Sequence, residues 1–225
     1  MDYKMTLEEN IAYAKRNIVD LIYKAAKVEG IGVTFPETAE LYEGRSVNGI
    51  KVDDIVKVNN LKHAWQFVFD TIDYACDMRY IKQINQLVQS GLNPFPGMVR
   101  MVDVSIGGTN WKPAIPNEDM ERKQIENILK IENPTERAIS VMTYIMRAQI
   151  FQDGNKRTAQ LVANQIMIQN GCGIIAIPVE SNIEFFEKLI RFYETNENKE
   201  LYNFLYDKCI DGYNHVPMNN KDKEK

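Results

Sequence analysis

Apolar residues recur every three or four positions over most of this chain, which is the spacing of amphipathic α-helices. The pattern predicts a long helix over residues 7–29 and another over residues 52–76. Between them, Thr34 stands where its hydroxyl can cap a shorter helix. The spacing also predicts helices over residues 78–89, 117–131, 183–195 and 199–209. The chain is therefore expected to be mainly α-helical.

Start and stop signals mark two more helices in the second half of the chain. The first begins at residues 133–136, where an Asn cap is followed by Pro and then by Glu at the third helical position. The second is predicted to begin near Asn155 or Lys156 and to stop at Asn170 and Gly171, since Gly readily takes the left-handed conformation that ends helices. A short loop must join these two helices.

One segment has the alternation of a β-hairpin. Residues 102–111 fit two short strands around a Gly107-Gly108 turn. We therefore expect one domain over residues 1–225, an almost all-α bundle with a single small hairpin. Its predicted parts are N-terminal helices over residues 7–50, the hairpin over 102–113, a core over 117–210, and a polar tail over 213–225 that frays.

The composition is typical of a globular protein. It also limits the kinds of partner and the cellular location that we expect. Of the 225 residues, 44% are hydrophobic and 26% charged, and 27 basic against 31 acidic side chains give a net charge of −4. Nucleic-acid-binding proteins are usually basic, so no nucleic acid is expected as a partner. No apolar stretch approaches the ~20 residues that span a membrane. Cys76, Cys172 and Cys209 are too few for a disulfide framework or a zinc site, which favours the cytoplasm.

The loop between the two later helices has the chemistry of an anion site. Gly154 permits a tight turn, and the amide groups from Asn155 onward point out of a helix N-terminus, which attracts anions. Lys156 and Arg157 add positive charge, and Arg can bind phosphate oxygens with two nitrogens. Asp153 adds one hard oxygen ligand for Mg²⁺. A nucleoside triphosphate with its metal satisfies all these groups, and the alternative is a capped turn with solvated charges.

Residues 149–160 resemble the signature of the Fic/Doc (Fido) family, H-x-F-x-[DE]-G-N-[GK]-R-x-x-R, and Phe151 and residues 153–157 match it. The resemblance implies the Fic fold, with Phe151 anchoring the loop in the core and Asp153 binding Mg²⁺. It also implies that the backbone of residues 154–156 cradles the ATP phosphates and that Arg157 contacts the outer phosphates. The residue chemistry favours the same roles.

Two positions depart from the signature. Gln149 stands at the position of the family's catalytic His, which accepts the proton of the target hydroxyl. Gln160 stands at the position of the second Arg, which holds the γ-phosphate. Lys156 and the missing second Arg are more similar to the Doc branch, which transfers a phosphate rather than AMP, although Doc-type proteins keep the His.

Two further segments are similar to docking and regulatory parts of the family. The family's flap docks a protein target by strand addition. This implies target contacts at Ser105, Ile106, Gly107, Gly108 and Trp111. Residues 25–30 resemble the family's inhibitory helix, whose Glu corresponds to Glu29 and pairs with the second motif Arg. Because position 160 holds Gln, we expect Glu29 to lack that partner and not to act as the usual lock.

The resemblance implies a protein adenylyltransferase that uses ATP and Mg²⁺ to move AMP to a protein hydroxyl. Gln149 cannot accept a proton at neutral pH, and loss of a positioned base slows a reaction by ~10²–10⁴-fold. Weak or altered activity is therefore expected. The alternatives are a catalytically inactive pseudoenzyme that binds a nucleotide or a protein, or a Doc-like component of a toxin–antitoxin pair. A homodimer or an antitoxin partner is left open.

Overall fold

The computed structural model describes residues 3–215, and these form a mostly helical bundle with one two-stranded sheet, which confirms the predicted fold class. The helices are α1 (Leu7–Arg16), α2 (Ile18–Val28), α3 (Phe35–Tyr42), α4 (Val52–Asp70), α5 (Met78–Val88), α6 (Glu118–Ile128), α7 (Pro134–Ala148), α8 (Asn155–Gln169), α9 (Asn182–Thr195) and α10 (Lys199–Lys208). The strands are β1 (Ile174–Ile175) and β2 (Ile210–Asp211).

The predicted helix over residues 7–29 is two helices, because the chain bends at Asn17. Its backbone has φ −96° and ψ 10°, outside the helical values. The Asn17 side chain donates to the carbonyl of Tyr13 at 2.9 Å. A short amide side chain competes with the helical backbone in this way, which is why Asn favours helix ends. The apolar spacing continues across the bend and conceals it.

The predicted helix over residues 52–76 is also shorter than expected, since α4 ends at Asp70. Thr71 leaves the helical conformation, and its hydroxyl donates to the Phe67 carbonyl at 2.6 Å. The helices that start at Thr34 and Asn133 are confirmed. In both, the capping side chain accepts the expected bond from the third helical amide.

Helix α8 lies at the centre of the bundle and packs against α7 along its length, and also against α5, α4, α1 and α2. All of its residues except Lys156 and Gln169 are buried. A helix that is enclosed on every side belongs to the core of a domain. The N-terminus of α8, and therefore the predicted anion site, is fixed by the packing of the whole molecule.

The predicted hairpin over residues 102–113 is wrong in its position. This segment is irregular, with a turn at Gly107 and Gly108, and contains no paired strands. Carbonyl groups at its two ends, those of Val102, Pro113 and the following Ala114, accept bonds from the Arg100 guanidinium instead. The two-stranded sheet comes from β1 and β2, which pair antiparallel with Ile174 opposite Asp211.

The chain beyond β2 turns back to the N-terminal segment. The Lys4 amide donates to the Asn214 side chain at 3.1 Å, and His215 Nδ1 lies 2.7 Å from Glu9 Oε1. Residues 216–225 of the predicted tail lie outside the described residues. Within residues 3–215, no helix combines the length and the apolar character that crossing a membrane requires.

Candidate functional site

Two left-handed residues shape the loop between α7 and α8. Gln149 ends α7 with φ 47° and ψ 54°, and Gly154 begins α8 with φ 76° and ψ 10°. The first helical bond of α8 joins the Thr158 amide to the Gly154 carbonyl at 2.9 Å. The amides of residues 155–157 precede this bond, so they are the free donors of a helix N-terminus. The predicted anion site therefore has the backbone geometry that it needs.

The Asn155 side chain holds the loop together. Its oxygen accepts from the Phe151 amide at 3.0 Å, and its nitrogen donates to the Phe151 carbonyl at 2.7 Å. Phe151 is 1% exposed, so its ring anchors the loop in the core as predicted. The backbone of Phe151 also pairs with Val99 in an isolated antiparallel bridge. The Asn155 side chain is thus fully engaged within the loop, and only its backbone amide faces a ligand.

Arg157 is a buried cation with incomplete bonding. Its side chain is 1% exposed, and within the described residues its Nε and Nη1 atoms have no hydrogen-bond partner. Its Nη2 lies 3.4 Å from Asp153 Oδ2. A buried donor that is left unpaired costs about 1–3 kcal/mol, and more when it is charged. Such a group is stabilised when an anion enters beside it.

Glu29, at the C-terminal end of α2, occupies the space beside these cations. Its carboxylate lies 3.3 Å from Lys156 Nζ and 3.5 Å from Arg157 Nε. The expectation that Glu29 lacks a partner is therefore wrong, because Lys156 and Arg157 replace the missing second Arg. The pairs are ionic contacts without directed hydrogen bonds, since Glu29 Oε1 and Arg157 Nε both remain without a hydrogen-bond partner. A loose pair of this kind is one that an incoming anion can displace.

Gln160 does not take part in the Glu29 contacts. It is 4% exposed, and its side-chain nitrogen donates to the Lys156 carbonyl of its own helix at 3.3 Å. It therefore stabilises the first turns of α8, and the charge at the mouth of the site comes from Lys156 and Arg157.

Asp153 is the acidic group of the loop, and its side chain is 58% exposed. Its Oδ2 atom accepts from Gln89 Nε2 at 3.2 Å and faces Arg157. One exposed carboxylate suits Mg²⁺ that is bound mainly through substrate phosphates. No cluster of three or more His, Cys, Asp or Glu residues suited to a metal ion occurs within residues 3–215. A metal at Asp153 would therefore need the oxygens of a ligand.

Two buried residues of the site were missed by the sequence analysis. Asn85 of α5 donates to the Asp153 carbonyl at 3.0 Å and to the Thr158 hydroxyl at 3.1 Å. Gln89, which caps α5, donates to the Asp153 carboxylate. The available signal was their position: they lie four residues apart on the apolar face of an amphipathic helix. A buried amide there must find hydrogen-bond partners.

Gln149 is near the loop but its amide is already in use. Its nitrogen donates to the Met146 carbonyl at 2.6 Å, and its oxygen accepts from Asn155 Nδ2 at 3.1 Å. Tyr193 is the adjacent hydroxyl. Burial raises the pKa of Tyr193, the charge of Glu29 raises it further, and a hydrogen bond with Gln149 lowers it. Tyr193 thus remains a neutral phenol and cannot replace the missing base.

Trp111 is packed against the bundle. Its ring stacks on Tyr193 with centroids 5.5 Å apart, and the Arg147 guanidinium lies 4.6 Å from its centroid. Of the other residues predicted to dock a target, Ile106 is partly buried against the core. Exposed positions are Ser105, Gly107 and Gly108.

An exposed apolar surface lies beside the loop, on the segment that leads into residues 102–113. Phe95, Met98, Met101 and Val102 are between 52% and 80% exposed. Together with Gln152 they line a cavity of about 230 Å³. The structure therefore places an apolar groove within a few residues of Asp153.

Free amides at the N-terminus of a central helix, beside a buried and incompletely bonded Arg, form an arrangement that favours an anion. Residues 75–167 match the sequence profile of the Fic/DOC family. The matched residues run from α5 into α8 and include the loop, so this part of the chain is similar to the Fic/DOC family, in agreement with the fold.

Two nematode proteins are similar in sequence. Protein adenylyltransferase fic-1 of Caenorhabditis elegans is 26% identical over 180 residues, which are 75% of this chain and 35% of the relative. The fic-1 protein of Caenorhabditis briggsae is 24% identical over 180 residues, with the same coverage of 75% and 35%. The chain thus spans about a third of the length of these curated relatives.

Solved structures show the same fold. Fic-1 of C. elegans superposes with a TM-score of 0.70 and 22% identity, over 87% of this chain and 61% of that one. A Fic domain-containing signalling protein from Bacteroides thetaiotaomicron gives a TM-score of 0.73 and 16% identity, over 89% of this chain and 84% of that one.

Proposed function

We propose that this chain binds Mg²⁺–ATP, or another nucleotide, at the N-terminus of α8 and acts as a slow protein adenylyltransferase. The observation that carries the proposal is Arg157, a buried cation whose Nε and Nη1 atoms lack hydrogen-bond partners beside the free amides of residues 155–157. Relatives named protein adenylyltransferase support the reaction class.

The chain's own residues account for binding. The amides of residues 155–157 and the Arg157 guanidinium face the phosphates, and Lys156 adds charge at the edge of the site. Asp153 offers a carboxylate oxygen to Mg²⁺, which, when bound, neutralises phosphate charge. Glu29 must leave the cations before the outer phosphate can enter. We therefore propose that Glu29 competes with the nucleotide, so that the site is closed at rest.

The chain lacks a base that the transfer step would use. In AMP transfer, a target hydroxyl oxygen forms a bond to the α-phosphorus, the bond to the β-phosphate oxygen breaks, and the hydroxyl proton must go to a base. The Gln149 amide is held by Met146 and Asn155 and is not basic. The proton goes to water instead, and the loss of the base slows transfer by ~10²–10⁴-fold.

The engaged amide of Gln149 also favours the second candidate, a pseudoenzyme. The nitrogen and the oxygen of this amide are both bonded within the protein. The side chain therefore holds the loop in place and has no free group that could act on a substrate. Such a protein would bind the nucleotide, or a protein partner, without turnover.

The protein target in either case would dock on the groove beside the loop. Phe95, Met98, Met101 and Val102 expose apolar surface there. Exposed patches of this kind mark interaction sites. Residues 101–106 are adjacent to it and pair with no strand within the described residues, so their backbone is available for strand addition. Three scattered cysteines are too few for a disulfide framework, which suits a cytoplasmic protein.

One calorimetric experiment tests nucleotide binding. Arg157→Met removes the charge and keeps much of the volume, and should weaken Mg²⁺–ATP binding between about 10-fold and about 100-fold, because charged hydrogen bonds are worth about 1.5–3 kcal/mol. Arg79→Met, at a residue that is 93% exposed, is the control and should bind like the wild type. Equal affinity of wild type and Arg157→Met would refute the assignment.

A second arm of the experiment separates the slow enzyme from the pseudoenzyme. Gln149→His restores a base whose pKa is near neutral pH, and should raise the transfer of label from α-labelled ATP to protein by about 100-fold. Gln124→His, at an exposed Gln of α6 that lies outside the loop and the groove, is the matched control. If Gln149→His gains nothing while nucleotide binding is intact, the pseudoenzyme is the better account.

A further inference from the structure

Two amide side chains of α5 hold the acidic residue of the loop, and neither belongs to the loop signature. We propose that Gln89 is a positioning residue that turns the Asp153 carboxylate so that its Oδ1 atom faces a divalent cation. The inference rests on the proposed function, since the cation is the one that accompanies the nucleotide. It adds a residue, Gln89, to the machinery that binds the metal.

The orientation of the Gln89 amide is fixed at both ends. Its side-chain oxygen accepts from Asn93 Nδ2 at 3.1 Å, and its nitrogen donates to Asp153 Oδ2 at 3.2 Å. Gln89 is 0% exposed, so water does not compete for these bonds. A buried amide with both atoms bonded has one stable orientation, and it therefore constrains the carboxylate that it contacts.

The same side chain lies flat against Gly154. A Cβ atom at Gly154 would stand 3.1 Å from both Cδ and Cγ of Gln89, closer than ordinary van der Waals contact. Gly154 thus serves two needs, the left-handed turn with φ 76° and the close approach of Gln89 to the loop. Without a Gly at this position, Gln89 could not reach the Asp153 carboxylate in this arrangement.

Asn85 has a different task from Gln89. Its nitrogen holds the Asp153 backbone carbonyl and the Thr158 hydroxyl, and its oxygen accepts from the Gly97 amide at 3.0 Å. Asn85 therefore fixes the path of the loop, whereas Gln89 fixes the rotation of one side chain. Loss of Gln89 should disturb only what depends on the carboxylate.

The charges support a role in metal binding. Both protein contacts of the carboxylate go to Oδ2, from Gln89 at 3.2 Å and from Arg157 at 3.4 Å. No described residue donates a hydrogen bond to Oδ1, and the side chain is 58% exposed. A neutral amide orients a carboxylate without cancelling its charge, so Oδ1 keeps its attraction for a cation. Residues that orient metal ligands in this way typically change metal affinity by about 10–100-fold when they are lost.

The test is Mn²⁺ binding by the full chain, followed by electron paramagnetic resonance, together with calorimetry of ATP without metal. Gln89→Met removes both bonds and nearly preserves volume, and should weaken Mn²⁺ binding about 10-fold in the presence of ATP or of inorganic pyrophosphate, either of which supplies the further oxygens that the ion needs. ATP binding without metal should change less than about twofold, because the α8 amides and Arg157 stay in place. Gln83→Met, an exposed Gln of the same helix, is the matched control and should behave like the wild type.

Two variants guard the interpretation. Asp153→Asn should abolish the binding of Mn²⁺, which would show that the bound ion depends on the proposed ligand. Gln89→Asn keeps a polar amide but withdraws it by one methylene. If Gln89→Met fails to fold, as judged by circular dichroism, Gln89→Asn takes its place with the same expected loss.

The outcomes separate this inference from the proposed function. Unchanged Mn²⁺ affinity in the Gln89 variants, or an equal loss of metal-free ATP binding, would overturn the role of Gln89. Absence of Asp153-dependent Mn²⁺ binding in the wild type would overturn it as well. If the wild type binds Mn²⁺ with pyrophosphate at Asp153 and the variants lose it, but ATP does not bind, then the proposed function fails and the role of Gln89 stands.

Discussion

The loop over residues 149–157 and the segment over residues 101–113 lie side by side and are built in opposite ways. Buried amides hold the loop from three directions, through Asn85, Gln89 and Asn155. The segment rests on the outside of the bundle, with Trp111 packed on Tyr193 and Thr109 bonded to Glu194. The loop is thus fixed by the core, whereas the segment is attached at a few points.

The difference indicates what each region recognises. All phosphate groups have the same shape. A site whose hydrogen-bond donors are already held in place can bind them without a further loss of conformational freedom. Protein targets vary in sequence, and a segment with exposed apolar side chains and no paired strand can adapt to them. This contrast fits the function proposed above, with the nucleotide at the loop and the protein at the segment.

Arg100 joins the two regions. It is 3% exposed, and its Nε donates to the Gln149 carbonyl at 2.5 Å while its Nη atoms donate to carbonyls at Val102 and Ala114. Burial lowers the pKa of Arg100. Four carbonyl bonds, the fourth at Pro113, compensate a buried guanidinium that forms no ion pair with a carboxylate of residues 3–215. Arg100 therefore connects the segment to the backbone of Gln149, the residue at the position of the family's base.

The largest expected effect comes from breaking the rigid loop with Gly154→Ala. The new methyl group would contact Gln89, and the left-handed φ of 76° disfavours any Cβ. We expect a loss of about 3 kcal/mol in the free energy of unfolding, measured by urea denaturation, and loss of measurable ATP binding.

Gly107→Ala is the matched control in the adaptable segment. A Cβ there meets nothing within 4 Å. Unfolding free energy should change by less than about 0.5 kcal/mol. If the two substitutions have equal effects, the contrast between the two regions is wrong.

A smaller effect is expected from Glu29→Gln, which keeps the shape of the side chain and removes its charge. Lys156 and Arg157 would lose their resident counter-ion, so Mg²⁺–ATP should bind about fivefold more tightly, in line with a partly exposed ion pair of about 1 kcal/mol. Calorimetry at two salt concentrations measures this, since salt screens ionic competition. Glu43 is an exposed carboxylate that directly follows α3. Its variant Glu43→Gln is the control and should bind Mg²⁺–ATP like the wild type. Weaker binding in Glu29→Gln would mean that Glu29 assists the nucleotide.

The smallest effect on the nucleotide is expected from Trp111→Leu. Loss of the Tyr193 stack and the Arg147 contact should lower the unfolding free energy by about 1 kcal/mol. ATP affinity should stay within about twofold, because the ring contacts described for Trp111 are with Tyr193 and Arg147 and not with the α8 N-terminus. A larger fall in affinity would show that the segment shapes the nucleotide site as well.

Local chemistry explains which elements the sequence could predict. The caps at Thr34 and Asn133 and the Gly154 turn depend on neighbouring residues, so short patterns identify them. The break at Asn17 was hidden, because apolar spacing runs through it.

Long-range contacts explain what the sequence could not predict. The partners of Glu29 lie more than a hundred residues away along the chain. The strand that pairs with β1 is separated from it by α9 and α10. Gln89 and Asp153 meet only because α5 packs against α8. The hairpin prediction failed because Arg100 supplies the bonds that a second strand would otherwise give.

The left-handed backbone at Gln149, with φ 47°, has a consequence for the history of this gene. Few residues accept that conformation, and His is among those that do so more readily than most. Each codon for Gln is one base away from a codon for His. An imidazole can therefore be gained or lost at position 149 by a single point mutation, without rebuilding the backbone around it. We therefore expect closely related chains to differ at this one position, some with Gln and little or no activity and others with His and full activity.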